Sequence, residues 1–203
     1  MSEGESIYKL LEEGESLLKD RGSKFYAYAF PVEELSEVEE QLSALKKRYY
    51  DARHHCYAYR LGKDGQTTFS TDDGEPSHSA GTPILAAIRS QELTQTLVVV
   101  VRYFGGTKLG VRGLIEAYRG SAELALEGLK REEIIPKVTF LLTFPYDRTS
   151  AINKLLHPHP VHQVTADYTD ICKITYWIKK DDYPLLADSL KQAGWSWKVM
   201  EED

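Results

Sequence analysis

Cysteine is scarce in this chain: Cys56 and Cys172 are the only two among 203 residues. They are too few and too distant for a disulfide framework, and they read as buried thiols of a cytosolic protein. No apolar run approaches the roughly 18 residues that a membrane-spanning helix needs, so no membrane partner is expected. The opening, MSEGESIYKLLEEGES, is acidic and lacks the basic-then-apolar order of a secretion signal. An overall excess of positive charge is missing too. The net charge is −6, which argues against a strongly basic nucleic-acid binder. Internal repeats and low-complexity tracts are absent, and so is a nucleotide fingerprint. Lys108 is followed by Leu109 where a Walker loop needs Ser or Thr, and glycines 105, 106, 110 and 113 do not follow G-x-G-x-x-G. A dedicated ATP or NAD site is therefore unsupported, and neither a cofactor nor a bound metal is expected.

Charge is unevenly spread. Residues 1–45 hold 4 Lys/Arg against 11 Asp/Glu, whereas residues 46–119 hold 11 against 7. The central third is the net-positive part, and it contains the most informative segment, Leu97 to Tyr118. There a continuous apolar run, Leu97 to Val101, predicts a buried strand. It is followed by Tyr103-Phe104, a glycine loop and an amphipathic helix from Gly113 to about Leu129. Gly105, Gly106, Gly110 and Gly113 permit positive φ and close approach to the main chain. A helix N-terminus presents unpaired N–H groups and a partial positive charge. With Arg102, Lys108 and Arg112 alongside, the loop suits a phosphorylated partner. The alternative is purely structural: a tight turn and close helix packing with no ligand.

A second segment, Thr71 to Pro83 (TDDGEPSHSAGTP), gathers Asp72, Asp73 and Glu75 around Gly74, then His78, ahead of a helix start at Thr82-Pro83. Carboxylates with a histidine suit Mg²⁺ or acid–base work, with Asp73, Glu75 and His78 as the candidate catalytic groups. The competing reading is a polar loop that hydrogen-bonds its own backbone. His54-His55-Cys56 and the HPHPVH run at 157–162 read as structural rather than as zinc ligands. Tyr49, Tyr50, Tyr57, Tyr59, Tyr103 and Tyr118 interleave with Lys46, Lys47, Arg48, Arg53, Arg60 and Arg102, a mixture that suits base stacking and phosphate contact or the filling of a core.

The remaining pattern predicts an aromatic strand over Phe25 to Phe30 and a helix within Val32 to Tyr50. A hairpin turns at residues 62–65, and a helix runs from Ile84 to about Gln91. A charged stretch near residues 132–137 marks a boundary. Beyond it the elements predicted at 138–144, 148–156, 161–168, 171–179, 182–193 and 195–200 run βαββαβ, the ferredoxin-like pattern. The fold class expected is α+β, with domains at 1–134 and 135–203.

Three segments in order, Ala58 to Gly62, Thr71 to Leu85 and Val98 to Tyr118, resemble the IMPACT family in its bacterial YigZ branch. The likeness covers most of residues 20–130, and the βαββαβ remainder is similar to that branch's C-terminal domain. The resemblance implies a first domain folded like the second domain of ribosomal protein S five. It implies a second domain like the ferredoxin-like fifth domain of elongation factor G. It further implies a cytoplasmic translation regulator with RNA or the ribosome as partner and no firmly attached reaction. The implied contact surface is Arg102, Tyr103, Gly105, Gly106, Lys108, Gly110, Arg112 and Gly113. The chain departs from the family pattern in three places. His78-Ser79 replaces Gly-Thr, Arg112 replaces a glycine, and Glu116 replaces an arginine, which removes one phosphate partner from the helix's first turn.

Overall fold

The computed structural model describes residues 7–202, so the acidic opening at residues 1–6 lies outside the described residues. Contacts divide the chain after Ile134. The first unit runs β1 (Ile7–Leu10), β2 (Gly14–Asp20), β3 (Ser23–Pro31), α1 (Leu35–Arg48), β4 (His54–Leu61) and β5 (Thr67–Thr71). It continues with α2 (Gly81–Ser90), β6 (Thr96–Tyr103), α3 (Gly110–Leu126) and β7 (Arg131–Ile134). Five strands form an antiparallel sheet in the order β2-β3-β6-β4-β5, while β1 pairs with β7.

Strand β6 reads as an unbroken apolar run because both its faces are covered. Val98 and Val100 join Phe25, Ala27 and Cys56 beneath α2 and α3. Leu97, Val99 and Val101 face the other way, against Val38, Leu42 and Leu45 of α1. The sheet is thus the middle of three layers. Antiparallel pairing brings the β2–β3 turn, the end of β6, the start of β4 and the end of β5 to one edge of this sheet. Lys24 lies opposite Tyr103, and His54 opposite Arg102. Helices α2 and α3 both start from that edge.

The second unit runs β8 (Lys137–Pro145), α4 (Thr149–Leu156), β9 (His162–Asp167), β10 (Ile171–Lys179), α5 (Tyr183–Gln192) and β11 (Trp197–Glu202). Its sheet order, β11-β8-β10-β9, is antiparallel throughout. This is the ferredoxin-like arrangement expected of a βαββαβ chain. One sheet face carries Val138, Phe140, Leu142, Ile174 and Ile178 into a core with Ile152, Leu186 and Leu190 of the helices.

Two local expectations need correction. α2 begins at Gly81 rather than at a Thr82 cap, and α3 begins at Gly110 rather than Gly113. The charged stretch at 132–137 overlaps β7, whose register sets Glu132 opposite Lys9.

A candidate anion site at one edge of the first sheet

The Thr71–Pro83 loop is knitted into the protein by its carboxylates. Asp72 Oδ1 accepts the N–H groups of Ala80 at 2.9 Å and Gly81 at 2.8 Å, and Oδ2 accepts that of His78 at 2.8 Å. A side chain from the end of β5 therefore caps α2 in place of Thr82. Desolvation pushes the Asp72 carboxyl up, but the three donors together outweigh it and hold it below its usual range. Asp73 Oδ2 accepts the N–H of His55 at 2.7 Å, and the Asp73 carbonyl oxygen lies 2.8 Å from His54 Nδ1. Glu75 goes elsewhere again. Its Oε1 receives Arg102 Nη1 at 2.6 Å and the Tyr118 hydroxyl at 2.8 Å.

The Glu75–Arg102 pair is buried, with side chains 5% and 7% exposed. Around it Arg102 lies over the Phe25 and Phe104 rings, at 5.4 and 5.7 Å. Its Nη2 reaches Ser23 Oγ at 3.5 Å, while Nε is buried without a partner among the described residues. Cys56 Sγ sits 3.0 Å from the Asp72 carbonyl oxygen and 3.4 Å from Tyr118 Oη. Burial pushes the thiol up to about 12, so it is no nucleophile. Burial likewise drives the Tyr118 phenol far above its ordinary value. Tyr118 stays protonated and donates to Glu75.

Of the two readings, the arrangement favours the polar loop bonded to backbone over metal or acid–base work at Asp72, Asp73, Glu75 and His78. The three carboxylates face three separate partners instead of converging. The His78 ring stands apart, with Nδ1 3.3 Å from Thr82 Oγ1. Among the described residues no three His, Cys, Asp or Glu side chains are grouped to hold a metal. The three carboxylates tie the start of β4 and the ends of β5 and β6 to α2 and α3.

The loop between β6 and α3 behaves differently. Gly105 packs so tightly on the β2–β3 turn that a Cβ there would meet the Gly22 carbonyl carbon at 1.8 Å. Its N–H is taken by Ser23 Oγ at 3.1 Å. Beyond it, Gly106 and Gly110 adopt φ of +90° and +73° in open space, a left-handed conformation that favours glycine. They turn the chain into α3, whose N-cap residue Leu109 supplies no side-chain cap, and among the described residues no other side chain bonds its first amides. Lys108 is exposed beside it. Arg112 is 93% exposed and pairs with Glu116 at 2.9 Å, so its guanidinium does not plug the amides.

The expected surface thus divides. Gly106, Lys108, Gly110, Arg112 and Gly113 stand together around the start of α3. Arg102 is withdrawn into its ion pair, the Gly105 amide is capped, and the Tyr103 hydroxyl donates to Asp51 at 2.6 Å. That hydrogen bond pushes the Tyr103 phenol up to about 12. For the interleaved tyrosines, packing favours the core-filling alternative. Tyr49 and Tyr103 pack with Tyr26, Tyr118 is edge-on to Phe25, and Arg60 bonds the Gly65 and Leu93 carbonyls. Of the six, only Tyr50 is exposed. Sequence reading missed Ser23 and the 59% exposed Phe104, along with Arg21 and Lys24, which the β2–β3 turn brings to the same edge. Only the β3–β6 register reveals their nearness.

The Impact N-terminal domain model matches residues 21–126, about half of the chain. IMPACT family member YvyE of Bacillus subtilis is 31% identical over 180 residues, covering 89% of this chain and 73% of its own. The chain belongs to the IMPACT family. IMPACT family member YigZ of Escherichia coli is 34% identical over 156 residues, covering 76% of this chain and 75% of its own. A crystal structure described as a hypothetical protein covers 98% of both chains, with 26% identity and a TM-score of 0.64. The IMPACT match spans the Asp72 cap, the Glu75–Arg102 pair and the uncapped start of α3 alike. Among the described residues no helix is long and apolar enough to cross a membrane.

Proposed function

We propose that this IMPACT family member is a translation-associated regulator of the cytoplasm that holds RNA, free or within the ribosome, by its phosphates. The contact is the edge of the first sheet. The unclaimed amides at the start of α3 receive a phosphate, Lys108 and Arg112 flank it, and Arg21 and Lys24 extend the cationic rim. The observation that carries this reading is the uncapped N-terminus of α3, open beside exposed cations, where amides and helix dipole act together on an anion. Arg102, near the end of the strand that feeds this loop, keeps its Nε buried and without a partner among the described residues. Family resemblance supports the link to translation.

Phosphate contacts release counterions, so binding falls steeply with salt. The test is fluorescence anisotropy of a labelled RNA, with ribosome co-sedimentation in parallel, at several salt concentrations. Lys108→Ala with Arg112→Ala is expected to weaken binding and to lower the log–log salt slope by about 1–2. Unchanged affinity and slope in that double variant overturn the assignment.

A further inference from the structure

The second unit has its own surface, carried by observations independent of the first unit's loop. Among the described residues of this unit, no element covers the sheet face opposite its helices. Alternation puts Lys137, Thr139, Leu141 and Thr143 of β8 on that face, with Lys173, Thr175, Trp177 and Lys179 of β10 beside them. The register adds Thr165, His162 and Asp167 from β9, and Lys198 from β11. The centre holds threonines and Leu141, with Ile171 exposed toward one end, and the lysines stand around it.

Charge is segregated in this unit. Residues 137–203 hold 8 Lys/Arg against 9 Asp/Glu, yet four of those lysines share the one face. Asp147, Asp170, Asp181, Asp182 and Asp188 lie in turns or on α5 instead. The acidic positions in register with the face are at its margins: Asp167 opposite Lys173 on β9, and Glu201 opposite Thr139 on β11. Among the described residues Lys173, Lys179 and Lys198 have no ion-pair partner.

An aromatic pair stands in the same face. The His162 and Trp177 rings are 4.0 Å apart and within 13° of parallel, and Lys137 Nζ lies 4.4 Å from the Trp177 centroid. Trp177 is thus flanked by His162 and Lys137, and His162 is exposed on an edge strand. The ring face of His162 turned away from Trp177 is where a third flat ring extends the stack. Flat rings linked by regularly spaced negative charges describe a single-stranded nucleic acid. A duplex keeps its base faces stacked on one another and cannot offer one.

We infer that the open sheet face of the second unit is a binding platform for single-stranded RNA, with a base stacked on the His162–Trp177 pair and phosphates on Lys137, Lys173, Lys179 and Lys198. The threonine hydroxyls between them are placed to meet base edges and 2′-hydroxyls.

The test uses the full chain, a fluorescein-labelled twelve-nucleotide oligouridine and a duplex RNA of equal length. The single strand is expected to bind more tightly than the duplex and to quench tryptophan fluorescence. His162→Ala is expected to weaken oligouridine binding about tenfold, the range seen for one lost stacking partner, while Trp177→Phe retains most of the affinity. Lys173→Gln, Lys179→Gln and Lys198→Gln together alter exposed side chains only, and are expected to lower the salt slope by about 2. Lys108→Ala with Arg112→Ala, on the first unit, leaves the quenching intact, so failure of the two assignments is told apart. Equal binding of duplex and single strand overturns the inference. So does an unchanged salt slope in the triple lysine variant, or concentration-dependent dimerisation abolished by His162→Ala with oligouridine binding untouched, which marks the face as a protein contact.

Discussion

Two glycine-containing loops leave the same edge of the first sheet, one after β5 and the other after β6, and each delivers the chain into a helix. In the first, Asp72 reaches forward to the opening amides of α2, so the helix dipole is answered from within. In the second, α3 starts at Gly110, and among the described residues no side chain bonds its opening amides. A helix end satisfied by the protein's own carboxylate has nothing left for a ligand; an unanswered one does. The segment richest in carboxylates and histidine thus bonds its own scaffold, and the plainer glycine loop carries the proposed phosphate contact.

The largest expected loss is at the buried ion pair. Glu75→Ala leaves Arg102 buried without a counter-charge, and is expected to cost the first unit about 3–5 kcal/mol. Urea denaturation followed by circular dichroism measures it. A loss under 1 kcal/mol would mean that the ion pair is not holding the two loops. Asp72→Ala comes next, because it uncaps α2 and strands three N–H groups, at about 2 kcal/mol. Its acid limb sharpens the point. The folded carboxyl lies below its usual 3.8, so the Asp72 contribution is present above about pH 3.8 and is lost as pH falls through the folded value. Acid titrations of wild type and Asp72→Asn should converge at the low-pH end.

The expectations for fold were met where periodicity was strong. β6 announced itself by five consecutive apolar residues, and α1 by apolar positions at 35, 38, 42 and 45. β1, β2 and β7 were not legible, since they are short or edge strands of mixed polarity whose pairing partners lie far along the chain. The site was legible as location only. TDDGEPSHSAGTP stood out, but what Glu75 does depends on Arg102 and Tyr118, residues 27 and 43 positions away. No spacing rule within the loop contains that information.

Two smaller effects complete the comparison. His55 is buried, and desolvation lowers its affinity for a proton below the usual 6.5. The unfolded chain therefore binds that proton more readily, and stability declines as pH drops below about 6.5. His55→Gln should flatten the pH 5–7 part of a thermal-melting profile. Smallest of all on stability is Lys108→Ala with Arg112→Ala, expected within about 0.5 kcal/mol of wild type because exposed ion pairs contribute little. A larger loss in a thermal melt would show that the open loop is scaffold as well.

Each unit also encloses a single free cysteine, Cys56 in the first and Cys172 in the second, both with no accessible surface. A thiol-reactive label can reach either one only when its own unit opens. Quantifying alkylation of the two peptides by mass spectrometry would read two local opening equilibria from one sample, with no engineered probe.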